Sequence, residues 1–266
     1  MKARHITAHQ FIRPMVAGRT CPVLLGAEDA EGKTVEVVTK LRGPELSVKA
    51  QIAELVAAPL AAHLGLEVPE AAVVDVPSGF EAIVPPALAA AFKASPGKNF
   101  GSVHLGTSFT TWPVGRSLSG VHRDQAAEIF AFDLHVQNPD RRPSNPNLWS
   151  RSERLGVYDH EQAFAFLHLP IIGGAPRPWV LADQARAFRF MEVHAFYPAL
   201  RGRKLDLGPF ESRLAGLSDE VIQGLLEGVP QEWQQGHDLC AGMGGYLREA
   251  PEERTAFLNF VKHLLR

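Results

Sequence analysis

The pattern of apolar and polar positions is strand-like before about residue 88 and helix-like after it. PVLLGAE reads as a strand that follows the glycine turn in VAGRT. DAEGK reads as a hairpin-type turn with Asp29, Gly32 and Lys33 at its tip. TVEVVTKL has the β-branched content of a second strand. Its alternation places Val38 and Lys40 on one face, with Val37 and Thr39 opposite. A helix is expected from about Ser47 to His63, with Ser47 as N-cap, Pro59 kinking or shortening the last turns, and Gly65 ending it. AAVVDV (Ala71 to Val76) reads as a strand and EAIVP as another short one.

Helical patterns dominate afterwards: LAAAFK, DQAAEIFAFDLHVQ, LADQARAFRFMEVHAF, FESRLAGL, DEVIQGLLEG, QEWQQGHDLCAGMGGYLREA and PEERTAFLNFVKHLLR. GMGG, near Gly242, is expected to be a loop or helix break. NPDRRPSNPNL, rich in Pro and Asn, is a loop between a buried helix and a short strand that ends in an aspartate. The expected fold class is α+β in two lobes. Residues 1–88 form a small lobe of antiparallel strands with one helix, and residues 89–266 form a larger helical lobe. A cleft between two lobes is a common place for a small-molecule site.

Composition narrows the function classes. A net charge of -2 gives no sign of direct nucleic-acid binding. The two cysteines, Cys21 and Cys240, are far apart and outside any CxxC pattern, which argues against a disulfide framework or a structural zinc site. The N-terminal stretch has no apolar core of signal-peptide type, and the longest apolar run is too short to span a bilayer. A soluble, cytoplasmic protein is expected.

The loop carries the candidate chemistry. Asp140 and Asn145 are five residues apart, and Asp159 follows Asn145 by fourteen. A hard cation such as Mg²⁺ takes oxygen ligands, which an Asn carbonyl and an Asp carboxylate supply. A second carboxylate nearby accepts a proton from an attacking hydroxyl, which completes a phosphoryl-transfer arrangement. That arrangement also needs a strand lysine on the phosphates, a helix glutamate to orient it, and a glycine turn over the phosphates. Lys40, Glu54 and the Gly18–Arg19–Thr20 turn occupy those places in kinase order. Taken singly, each has an ordinary structural role: Asp140 and Asp159 as turn caps, Asn145 as an Asn-Pro turn starter, Lys40 and Glu54 as solvated positions.

The sequence resembles the HipA-like kinases, especially their compact branch. The resemblance rests on TVEVVTKLRG, AELVAAPLAAHLGLEVPEAAVVDV, FGSVHLG, IFAFDLHVQNPDRRPSNPNL and GVYDHEQAF, which fall in family order over most of residues 15 to 166. The loop is also similar to the catalytic loop of phosphatidylinositol 3- and 4-kinases. The resemblance implies ATP and Mg²⁺ as cofactors, with Lys40 on the nucleotide phosphates and Glu54 orienting it. It implies Asp140 as catalytic base, Asn145 and Asp159 as metal ligands, and backbone near Gly18, Arg19 and Thr20 over the phosphates. The segment from Val84 to Leu88 would be the adenine hinge. The family's activity implies a protein serine or threonine as acceptor, and its toxin members imply a regulatory protein partner. A toxin-type N-terminal subdomain does not fit the chain length.

The sequence departs from the usual kinase pattern. No GxGxxG is present, and His160 and Glu161 follow Asp159 in place of Phe-Gly, with Glu161 either supporting the site or facing solvent. Two arginines, Arg141 and Arg142, follow Asp140, either tuning phosphate or substrate binding or having no special role. A pseudokinase, a nucleotide-binding interaction module and a small-molecule kinase are the alternatives. His122, His135 and His160 lack metal-ligand spacing and read as packing or surface residues. The four tryptophans, Trp112, Trp149, Trp179 and Trp233, read as core or lobe-edge packing.

Overall fold

A computed structural model describes residues 3–15, 20–43, 46–107, 109–167, 174–189 and 191–266. Five strands close a barrel: β1 (Arg4–Pro14), β2 (Val23–Glu28), β3 (Thr34–Lys40), β4 (Ala71–Val76) and β5 (Gly97–Val103), in the order β1-β2-β3-β5-β4. Neighbouring strands are antiparallel except β1 and β4, which run parallel. Alternate side chains fill the interior, including Ile6, Val23, Leu25, Val37, Val74 and Val76. The space is tight at Gly101 of β5. A Cβ there would stand 2.4 Å from Val74 Cγ2 and 2.7 Å from Val37 Cγ2, so only glycine fits.

The closed barrel replaces the simple antiparallel sheet that the sequence suggests. β1 extends it by one strand whose sequence gives no alternation signal. β5 lies beyond residue 88, where the sequence reading ends the first lobe. EAIVP is not a strand. Phe80–Ile83 forms a 3₁₀ turn that leads into α2 (Pro86–Ala94), with Pro86 in its first turn, where its missing N–H costs nothing. The chain leaves the barrel from β5 at His104, so the link between the lobes follows β5. The Val84–Leu88 segment, expected as a hinge, instead starts α2.

α1 (Val48–His63) covers the outside of the barrel, and Ser47 caps it by accepting from the Ala50 N–H. Pro59 lies inside the helix, which continues to His63. The left-handed Gly65 follows, and Leu66 N–H donates to Ala61 O, a C-terminal closure of the expected kind. α1 packs into the larger core, together with Val73 and Phe100 from the barrel's outer face, and not into the barrel interior.

The second lobe begins with β6 (Thr110–Thr111) and α3 (Arg123–Val136). A hairpin of β7 (Leu148–Arg151) and β8 (Arg154–Val157) follows, with β6 on the far side of β7. The rest is helical: α4 (Gln184–Phe188), α5 (Tyr197–Leu200), α6 (Gly208–Ala215), α7 (Asp219–Glu227) and α8 (Leu239–Leu264). GMGG does not break the chain but lies within α8, and Pro251 also sits inside that helix. Tight packing accounts for one of its glycines: a Cβ at Gly244 would stand 3.0 Å from Leu226 of α7. All four tryptophans are buried, as expected. Among the described residues no helix is long and apolar enough to cross a membrane.

Candidate active site

Lys40 is the last residue of β3, and its ammonium is the centre of the site. Nζ donates to Glu54 Oε1 at 2.5 Å, to Asp159 Oδ1 at 2.6 Å and to Glu161 Oε2 at 3.3 Å. The three carboxylates come from α1 and from the segment after β8, so strand, helix and loop meet on one cation. Their oxygens lie within 4.8 Å of one another. The lysine stands among them, so they form its cradle.

The placement of α1, which carries Glu54, is fixed by Gln51, three residues earlier on the same helix face. Gln51 is fully buried. Its Nε2 donates to Lys40 O at 3.1 Å, and its Oε1 accepts from Phe100 N at 2.9 Å. One side chain thus joins α1 to the end of β3 and to β5. Glu54 is fixed from its other oxygen, which accepts from His160 N at 2.8 Å. The sequence reading missed Gln51, since a glutamine three residues before a glutamate carries no signal without knowledge of burial. Gln51→Ala leaves Lys40 O and Phe100 N–H buried without partners. Chemical denaturation should register a loss of about 2–4 kcal/mol, and a loss below about 0.5 kcal/mol would remove Gln51 from this role.

The β7–β8 hairpin brings the two loops together. Leu148, directly after NPDRRPSNPN, pairs with Val157, directly before Tyr158 and Asp159. Tyr158 N–H then donates to Asn147 O at 3.2 Å. The hairpin is fixed to the first lobe where Val157 N–H donates to Glu67 O at 2.8 Å. Asp159 (φ 63°) and Asn147 (φ 49°) both adopt left-handed backbone, which non-glycine residues rarely hold without support.

Arg141 supplies that support and is fully buried. Its Nε donates to Asp133 Oδ2 of α3 at 2.5 Å, Nη2 to Asp133 Oδ1 at 3.2 Å, and Nη1 to Asn147 O at 2.6 Å and Tyr158 O at 3.4 Å. The sequence leaves open whether Arg141 tunes phosphate or substrate binding or has no special role; in the structure its guanidinium is committed to holding α3 and the two loops. His194 adds a contact on the same aspartate, Nε2 to Oδ2 at 3.0 Å. Burial acts to raise the Asp133 carboxyl, but Arg141 and His194 outweigh it and hold it near pKa 2. Arg142, by contrast, is exposed and lines a groove of about 400 Å³ with Pro143, Ser144, Val193, His194 and Pro198.

Asp140 Oδ2 accepts from Asn145 Nδ2 at 2.9 Å and from Asn147 Nδ2 at 3.2 Å. Burial and then the charge of Asp159 push the Asp140 carboxyl above its ordinary value, the direction that suits a proton acceptor. For Asp159 burial acts upward, but the Lys40 ammonium outweighs it and holds the carboxyl down. For Lys40 burial acts downward, and Glu54, Asp159 and Glu161 together reverse it, so the amine stays protonated. Because Asn145 turns its amide nitrogen to Asp140, its Oδ1 faces away from that carboxylate. That oxygen and the Asp159 carboxylate are donors of the type a hard divalent cation takes.

Lys40, Glu54 and Asp159 therefore meet directly, and Asp140 and Asn145 are hydrogen-bonded beside them. Of the expected phosphate turn, Gly18 and Arg19 lie outside the described residues. Thr20 lies three residues before β2, near the Lys40 end of the barrel, because Val23, the first residue of β2, pairs with Thr39. Glu161 is the residue whose position the sequence left undecided: its side chain is only 8% exposed and it faces Lys40. His160 is buried against Phe132, as a packing role requires.

The family model for HipA-like kinases matches residues 8–167, more than half of the chain. The chain belongs to the HipA-like kinase family. Solved structures agree on the fold. The Helicobacter pylori proinflammatory kinase CtkA superposes with a TM-score of 0.55 at 10% identity, covering 99% of this chain and 100% of that one. The Golgi casein kinase gives a TM-score of 0.50 at 10% identity, covering 100% of this chain and 74% of that one. A second structure of it, with Mn/ADP bound, gives 0.50 at 11% identity, covering 100% and 73%. No curated protein matches the chain at the sequence level. This HipA-like kinase thus has a kinase-like fold, with a small strand-rich lobe and a helical second lobe.

Proposed function

We propose that the protein is an active ATP- and Mg²⁺-dependent kinase that transfers the γ-phosphoryl group to a serine or threonine hydroxyl of a protein. The observation that carries this reading is the meeting of Lys40, Glu54 and Asp159 in one buried ionic cluster, with Asp140 and Asn145 hydrogen-bonded beside it. Family membership and the Mn/ADP complex of a structural neighbour point the same way.

Each residue has a role that its geometry permits. Lys40, kept protonated, neutralises phosphate charge, and Glu54 fixes its position. The Asn145 carbonyl and the Asp159 carboxylate would hold the metal. A divalent cation there supplies charge neutralisation on the transferring phosphoryl group. The Asp140 carboxylate accepts the proton of the acceptor hydroxyl, and the two asparagine amides on its Oδ2 set its direction.

The test is thermal unfolding with ATP alone and with ATP and Mg²⁺. The wild-type midpoint should rise by roughly 5–10 °C with both ligands at about a hundred times Kd. Asp159→Asn should lose most of that rise. Mass spectrometry after incubation should find phosphate on Ser or Thr of the protein itself or of an added protein acceptor. No stabilisation by any nucleotide would end this reading, and stabilisation without any transfer would leave a nucleotide-binding pseudokinase.

A further inference from the structure

Three carboxylates around one ammonium are more than charge balance needs. Glu54 and Asp159 already contact Lys40 at 2.5 and 2.6 Å. Glu161 is a third, at 3.3 Å, and is nearly as inaccessible as Glu54, with side-chain exposures of 8% and 2%. Keeping a carboxylate out of water costs several kcal/mol unless a cation compensates it. The excess charge therefore needs an account, and the Asp159 position supplies one. In the proposed function Asp159 has two tasks, holding a metal and holding Lys40, and its Oδ1 is the oxygen on the lysine. If Asp159 turned Oδ1 toward a bound metal, Lys40 would lose its 2.6 Å contact.

We infer that Glu161 is a positioning residue that takes over from Asp159 as the second counter-ion of Lys40 when metal and nucleotide bind. Three observations support this. Glu161 belongs to the same segment as Asp159, two residues on, so it reaches the ammonium from the same side. Glu54 cannot move to compensate, because its second oxygen is bound to His160 N at 2.8 Å. The Glu161 contact, at 3.3 Å, is the longest of the three, so it has room to shorten if Asp159 turns away. Lys40 then keeps two carboxylates throughout, so it neither follows Asp159 toward the metal nor swings freely among the phosphates.

The inference rests on Lys40 being the phosphate-binding lysine, and the experiment separates the two claims. Calorimetric affinities for ATP·Mg²⁺ and for adenosine, which carries neither phosphate nor metal, are measured on wild type, Glu161→Gln and Glu161→Asp. Glu161→Gln should bind ATP·Mg²⁺ about tenfold more weakly while adenosine affinity stays within about twofold. Glu161→Asp, which retains the charge with a shorter reach, should recover part of the loss and serves if the glutamine variant fails to fold. Equal weakening for both ligands would make Glu161 merely structural and overturn the inference. Tighter ATP·Mg²⁺ binding would show Glu161 acting only as a repulsive charge, which also overturns it. A wild-type chain that binds neither ligand would overturn the nucleotide-site reading instead.

Discussion

Asp140→Asn should lower phosphoryl transfer by roughly 10²- to 10⁴-fold while leaving ATP·Mg²⁺ affinity within a few-fold. The substitution is close to isosteric. An asparagine can still place an oxygen against Asn145 Nδ2 and Asn147 Nδ2, which now lie 2.9 and 3.2 Å from Asp140 Oδ2. Loop geometry and the proposed metal ligands are then preserved, and only the ability to accept a proton is lost. Burial and Asp159 both raise the Asp140 carboxyl, so the aspartate has unusual proton affinity for its type. Steady-state kinetics on any accepted hydroxyl substrate, with nucleotide binding measured in parallel, decides the matter. Retention of full turnover would remove Asp140 from the role of base.

The second large effect concerns stability. Arg141→Leu removes a guanidinium that is fully buried and leaves Asp133 ionised beside His194, with Asn147 O and Tyr158 O losing a donor. Breaking one partner of a buried pair costs about 3–5 kcal/mol, a large share of the 5–15 kcal/mol typical of a folded protein. Urea denaturation should show this loss, together with loss of ATP·Mg²⁺ binding, because the same arginine holds both site loops. Replacing Asp133 as well, by leucine, should recover part of the stability but not the nucleotide binding. A single-mutant loss below about 1 kcal/mol would mean that Arg141 is not the anchor described.

The sequence disclosed which residues meet in the candidate site better than it disclosed the scaffold. Lys40, Glu54, Asp140, Asn145 and Asp159 were legible because each is a required residue type in a fixed order, on an element whose type could be read locally. β2, β3 and β4 were equally plain from their runs of Val, Leu and Ala. β1 was not, because RHITAHQFIRP exposes His, Thr, Arg and Gln and turns only Ile6 and Ala8 fully inward. β5 was hidden by its two glycines, one of which the barrel interior demands. α8 was divided in two because glycine and proline lower helix propensity, a penalty that packing against α6 and α7 overrides. Arg141 and Glu161 were undecided for one shared reason: a charge beside a catalytic residue reads as ligand-facing or solvent-facing, and only tertiary structure shows it buried.

Glu54 and Lys40 are anchored in different hydrophobic masses. The helix that carries Glu54 is embedded in the larger core, while β3, which ends in Lys40, contributes Val37 to the barrel interior. Their ion pair is therefore a strut between two separately packed bodies. Any rocking of the barrel over the helical lobe would load this strut, the Gln51 hydrogen bonds and the Val157–Glu67 link before it disturbed either core. On the proposed function, the joint is stiffest where phosphoryl transfer would take place.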